Sequence, residues 1–193
     1  MNAFSGVGGP GNSNKLTIVG GNGLAQPSLL YKATPLCIGS GAATGNVVIV
    51  DGGGVAGSAV VTNGVSYHAL FVGIDAAGGN NGAPYGAPFD NRLIVTNGGS
   101  VFSIYQTMTI GLSQNGFAAN SNQVIVVGSN SLLRCGTYTL QIGLARTSAG
   151  SMAAGNVLRV ADGGTVDNGA RDIYIGNAGN GATCMDNELH VAN

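Results

Sequence analysis

The chain has 193 residues, of which 35 are glycine, and only 8% are charged, seven basic against eight acidic. A net charge of −1 scattered along the sequence provides no basic stripe for nucleic acid or lipid headgroups, and no apolar run is long enough to span a membrane. So much glycine alone would suggest low complexity, but 44% of the residues are hydrophobic and the aliphatics are regularly placed, which argues for periodic order.

The opening stretch, Met1-Asn-Ala-Phe-Ser-Gly6, has neither a basic segment nor an apolar one, so any export signal is expected outside this sequence. From residue 14 a phrase recurs: Asn, any residue, aliphatic, any residue, aliphatic. It reads Asn14-Lys-Leu-Thr-Ile18, Asn46-Val-Val-Ile-Val50, Asn91-Arg-Leu-Ile-Val95, Asn122-Gln-Val-Ile-Val126, Asn156-Val-Leu-Arg-Val160 and Asn187-Glu-Leu-His-Val191. Each phrase except the last is followed by a small-residue corner and an aliphatic: Gly20-Gly21 before Leu24, Gly52-Gly53 before Val55, Gly98-Gly99 before Val101, Gly128-Ser129 before Leu132, and Gly163-Gly164 before Val166. A third phrase closes the unit with an aliphatic pair and glycine, as in Leu36-Cys-Ile-Gly39, Leu70-Phe-Val-Gly73, Met108-Thr-Ile-Gly111, Leu140-Gln-Ile-Gly143 and Ile173-Tyr-Ile-Gly176.

Alternation with period two marks strands with one face inward, and glycine pairs supply the positive φ of sharp corners. Steps of 32, 45, 31, 34 and 31 residues between the asparagines fall in the range of stacked repeats. The sequence therefore predicts an all-β chain, a right-handed parallel β-helix (β-solenoid) in one domain over 1–193. It has about five and a half coils of 31–34 residues with three short strands each, and a loop inserted over 76–90. Stacking at roughly 4.8 Å per coil makes a rod roughly 25 Å long.

At equivalent corners, Asn14, Asn46, Asn91, Asn122, Asn156 and Asn187 would form a ladder in which each amide donates to the next and accepts from the one before. Asparagine also favours turns for local reasons, but its fixed register against the strands favours the ladder. The sequence stops at Val191-Ala-Asn193, which matches Val160-Ala-Asp162, and Val7-Gly8 resembles the end of a third phrase, so incomplete coils are expected at both ends. Cys37 and Cys135 fall three coils apart, about 14 Å, beyond disulfide reach; together with Cys184 they are expected to be free thiols or packing residues.

The order of Asn phrase, glycine corner and aliphatic-x-aliphatic-Gly over residues 14–191 resembles the β-helical repeats of large bacterial surface and autotransporter-type proteins. The resemblance implies an extracellular or cell-surface location and a structural or adhesive role. No cofactor is expected.

Candidates for chemistry are few. His68 and His190 have no partners at metal-ligand spacing, and no nucleophile or phosphate-binding motif is present. Asp162, Asp167 and Asp172 with Arg171 form the best carboxylate group, but Asp162 sits where Asn97 forms a turn, and Arg171 can neutralise its neighbour. The chain is therefore read as a non-enzyme that self-associates, head-to-tail and laterally. The alternative is a carbohydrate-active β-helix, either a polysaccharide lyase or a module binding surface glycans. Outward positions of the first strand place Ile49, Ile94 and Ile125 in an apolar stripe suited to lateral contact. The duplicated Gly82-Ala-Pro-Tyr85 and Gly86-Ala-Pro-Phe89 of the inserted loop add Tyr85 and Phe89, either as contacts or as a cover for that stripe. Leu189 and Val191 are expected to make the axial contact at the last strand edge.

Overall fold

A computed structural model describes residues 12–21, 27–32, 36–63, 69–75, 86–103, 106–146, 149–169 and 171–192. These residues form a β-solenoid with three strands per coil and no helix. The first sheet stacks Lys15–Val19, Val47–Asp51, Arg92–Thr96, Gln123–Val127, Val157–Ala161 and Glu188–Val191 in chain order. The second stacks Ser28–Lys32, Ala59–Asn63, Ser100–Ser103, Leu132–Cys135 and Thr165–Asp167. The third stacks Leu36–Ser40, Leu70–Ile74, Met108–Ser113, Leu140–Ala145 and Ile173–Ala178. A fourth, short sheet of Ala118–Asn120, Met152–Ala154 and Thr183–Met185 fills the stretch before the Asn phrase in the later coils. Single bridges from Phe89 to Thr44 and to Asn120 carry that face back to earlier coils.

All pairings are parallel, and the periodic phrases stay in register: Ile49 lies opposite Thr17 on one side and Ile94 on the other. Inward residues of the three main sheets, such as Val48, Leu93, Val124, Leu158, Val61, Leu133, Ile110 and Ile142, make one continuous core. The third strands Leu36–Ser40 and Met108–Ser113 are buried on both faces, whereas Ile173–Ala178 in the last layer is exposed along its length. Past their glycine, Ile74, Leu112 and Leu144 gather with Cys37 and Phe71 in a second, smaller cluster.

Several corners depart from the expected phase: Leu24 lies outside the described residues and the second strand of its coil begins at Ser28, while Leu133 rather than Leu132 takes the inward place of Val101 and Val166. Val55 is exposed, and the second strand of its coil begins only at Ala59. The turn from Gly52 to Ser58 is longer than the tight glycine corner at Gly98-Gly99, which leads straight into Ser100.

The six asparagines form a continuous column. Nδ2 of Asn14 donates to Oδ1 of Asn46 at 2.9 Å, Asn46 to Asn91 at 2.9 Å, Asn91 to Asn122 at 3.0 Å, Asn122 to Asn156 at 3.1 Å and Asn156 to Asn187 at 2.9 Å. Each of the first five also donates its backbone N–H to the same oxygen, at 3.0–3.2 Å. The second amide hydrogen reaches a main-chain carbonyl at several rungs, as from Asn91 to Ala43 and from Asn156 to Ala119. Asn46, Asn91, Asn122 and Asn156 are fully buried, where an unpaired amide would be costly. The residue before each asparagine is left-handed in all six coils: Ser13, Gly45, Asp90, Ser121, Gly155 and Asp186 have φ of 60°, 65°, 54°, 55°, 61° and 52°. Serine, aspartate and glycine are suited to that corner because a short polar side chain, or none, tolerates positive φ.

The glycine of the third phrase and the asparagine of the first answer one another. Gly39, Gly73, Gly111 and Gly143 have φ of 73–78°, and a Cβ there would lie 2.1–2.3 Å from the amide carbon of Asn91, Asn122, Asn156 and Asn187 respectively. Glycine is thus required twice at the same position, for backbone conformation and for the ladder's space.

Gly73→Ala must hold φ near +78° and displace the Asn122 amide, at about 1–3 kcal/mol for the backbone and about 1–3 kcal/mol for overpacking. Gly54→Ala shares the positive φ but meets nothing within 4 Å. Thermal melts of the two variants should differ by several degrees, with Gly73→Ala the lower; equal melts would show that the Asn contact is immaterial. Asn122→Ala removes the acceptor used by Asn91 and the donor used by Asn156, an expected loss of about 1–3 kcal/mol. The same change at exposed Asn177 should stay within about 0.5 kcal/mol in denaturant titration.

Candidate functional surfaces

Because every donor in the column points toward the next coil, the ladder has two unlike ends. Among the described residues, Oδ1 of Asn14 accepts no hydrogen bond, and the backbone N–H of Asn187 donates none, its Nδ2 being held by the carbonyl of Ala153. The layer that holds Asn187 is also apolar. Leu158, Val160, Val166, Ile173, Leu189 and Val191 line an open basin of about 330 Å³ together with Gly164 and Thr165, and Val191 is 67% exposed. Leu189 still packs against the core from its half-buried position. In the first described layer, Leu16, Ile18 and Leu30 are likewise half-buried and pack against the core, with the next coil paired on one side of their strands.

On the outer face of the first sheet, Thr17, Ile49, Ile94, Ile125, Arg159 and His190 follow one another in register. The three isoleucines are half-buried, each flanked by its neighbours one coil away. Tyr85 lies outside the described residues. Phe89 is half-exposed and its backbone pairs on the fourth face, around the asparagine corner from Ile94. The inserted segment therefore does not bring Phe89 into the stripe.

The outer face of the second sheet carries a row that the repeat phrases do not announce. Tyr31, Thr62, Phe102, Arg134 and Asp167 stand in register along the axis. Beside them run Leu29, Val60, Ser100, Leu132 and Thr165. Their outward direction follows from the inward Leu30, Val61, Val101, Leu133 and Val166 between the two columns. Strand parity would have identified both columns, but only once the long corner before Ala59 was known.

The carboxylates do not converge. Asp162 sits at a turn with φ 52°, matching Asn97 at φ 50°. Asp167 accepts from Nε of Arg134 at 2.8 Å, so Arg134, one coil earlier, is its partner rather than Arg171. The Gly169 amide and then the Arg134 guanidinium hold the Asp167 carboxyl below the usual carboxylate range. Asp172 accepts instead from the Tyr174 hydroxyl at 3.3 Å. The described residues contain no group of three or more His, Cys, Asp or Glu placed to hold a metal ion, and His68 lies outside them. Cys37, Cys135 and Cys184 form no disulfide among the described residues, and burial pushes the Cys135 thiol up to about 12.

Asp75 is a further polar residue that sequence reasoning passed over. Fully buried, it accepts from the backbone N–H groups of Gln114, Asn115 and Phe117 at 2.9, 2.7 and 3.4 Å and from Nδ2 of Asn115 at 3.2 Å. It pins the turn of the next coil that leads into the fourth sheet. It stands outside the repeated phrases, so periodicity gave it no signal.

The chain matches no known family model, no curated protein and no solved structure.

The lowered Asp167 pKa fixes the sign of an acid effect. A depressed folded-state pKa contributes stability above the unfolded value of about 3.9, and that contribution is lost as pH falls through the folded value. Asp167→Ala should therefore melt slightly below the parent chain at pH 6, by a gap that narrows as the pH is lowered toward 2. A gap that persists unchanged at pH 2 would place the effect in packing rather than charge.

Proposed function

We propose that this chain is a structural repeat protein of the cell exterior, a stiff rod whose copies join head to tail and serve adhesion or matrix formation. The carrying observation is the direction of the asparagine column. Its donors all point one way, so among the described residues one end offers the backbone N–H of Asn187 and the other the amide oxygen of Asn14. A second copy continues the column only when its first layer meets the last layer of the copy below; head-to-head contact would oppose acceptor to acceptor. Apolar burial acts in the same direction. Covering Leu189, Val191 and Ile173 would stabilise the contact by about 1.5–3 kcal/mol for each side chain fully buried, and the open strand edge would gain partners. A heterologous contact of this kind propagates as a filament when it does not close. The extracellular setting is supported by the resemblance of the repeat phrases to surface-protein β-helices. No helix of the described residues is long and apolar enough to cross a membrane.

Negative-stain microscopy and light scattering across a concentration series test the reading. Rods that lengthen with concentration are expected for the parent chain. Val191→Asp, which places a charge in the open apolar basin of the last layer, should shorten them while leaving the melting of the single subunit nearly unchanged. A chain that stays monomeric at the highest concentration would overturn axial assembly.

A further inference from the structure

We infer that the outer face of the second sheet is a binding site for an extended, neutral, β-linked polysaccharide lying along the rod axis. Its floor is the row Tyr31, Thr62, Phe102, Arg134 and Asp167, held in parallel register by four consecutive strand pairings. Tyr31 is 49% exposed and Phe102 is half-buried, so both rings belong to the surface and not to the core. They are two coils apart, about 9.6 Å along the axis, close to the length of one disaccharide unit. In an extended β-1,4 chain every second sugar presents the same face, so two such rings meet equivalent C–H faces of alternate sugars. Thr62, between the rings, offers a hydroxyl to the sugar rim.

Farther along, Arg134 donates to Asp167 through Nε, which uses one of the five guanidinium donors. The rest are available to hydroxyl groups. The ion pair neutralises itself, so the row presents polar groups without net charge, which fits a neutral ligand better than a polyanion. A second protein is the poorer fit, because protein interfaces deplete charge at their centre and favour contiguous apolar contact. Here aromatic, hydroxyl and charged positions succeed one another in a single file. The flanking column of Leu29, Val60 and Leu132 supplies an apolar margin. This site is independent of axial assembly, and either can fail without the other.

Isothermal titration of the purified chain with cellohexaose, chitohexaose and β-1,4-mannohexaose, with maltohexaose as the curved α-linked control, tests the site. At least one extended hexasaccharide should bind, and its disaccharide should bind about tenfold more weakly or less, since it reaches only one ring. Tyr31→Ala and Phe102→Ala should each weaken binding about tenfold, as expected for truncating an aromatic anchor, while Tyr31→Phe should retain it. Circular dichroism checks the fold of each variant, and the disaccharide comparison needs no variant. The inference is overturned if no extended hexasaccharide binds or if maltohexaose binds equally well. It is also overturned if a folded Tyr31→Ala/Phe102→Ala variant binds as the parent does, or if Tyr31→Ala abolishes a lateral self-association of the parent chain.

Discussion

The asparagine column is the constraint on which the rest of the solenoid depends. A β-coil can slide along its neighbour by two residues and still bury aliphatic side chains, because alternate positions all face inward. A buried amide whose hydrogen bonds run to the amide above cannot slide at all. Both Nδ2 and the backbone N–H of Asn91 converge on Oδ1 of Asn122, so a displaced rung would lose two bonds at once inside a core where no water replaces them. The glycine opposite each rung is a consequence of this demand. Gly73 leaves room for the Asn122 amide, and the same relation recurs at Gly39, Gly111 and Gly143. What look in the sequence like two separate motifs are two halves of one packing contact: Gly39 closes the first unit and meets Asn91, which opens the third.

With the register set at that corner, the loops are free to differ. The step of 45 residues from Asn46 to Asn91 leaves the pairing of Val47–Asp51 with Arg92–Thr96 residue for residue as it is elsewhere. Such tolerance follows from the slow growth of loop-closure entropy with length and from the strength of a contact that both coils must satisfy. Asp75 shows how an irregular segment is tied down, with a buried carboxylate gathering three backbone donors from the turn at 114–117.

The first and third strands were legible because their phrases include the residues that make the ladder, and chemistry at fixed spacing survives any change in loop length. Second strands have no such mark. Val55 follows its glycine pair as the pattern requires, yet it is exposed and the strand starts at Ala59, because corner length between first and second strands is not fixed by the asparagines. The fourth sheet was hidden for a similar reason. Ala118–Asn120, Met152–Ala154 and Thr183–Met185 are three residues each and mostly small, too short to show an alternation. The left-handed corner before each asparagine left a trace in the alternation of serine, glycine and aspartate at that position, readable only as a column of six and not in any single coil. The outer row of the second sheet was the least legible, since Tyr31, Thr62 and Phe102 are far apart in sequence and share no phrase.

A stack held in register converts sequence into linear arrays on its outer faces, and this is where such a fold can acquire specificity. Inward positions are limited to aliphatics by the narrow core and corner positions by asparagine and glycine, whereas outward positions answer only to their neighbours one coil above and below. The first sheet uses that freedom for three adjacent isoleucines and then changes to Arg159 and His190; the second places two rings, a hydroxyl and an ion pair in file. Direction in the ladder then acquires a second meaning. Copies joined donor end to acceptor end keep all their strands parallel along one axis, so an outer row on one subunit is continued in the same sense by the next. A contact that reversed polarity would break both the amide column and every such row.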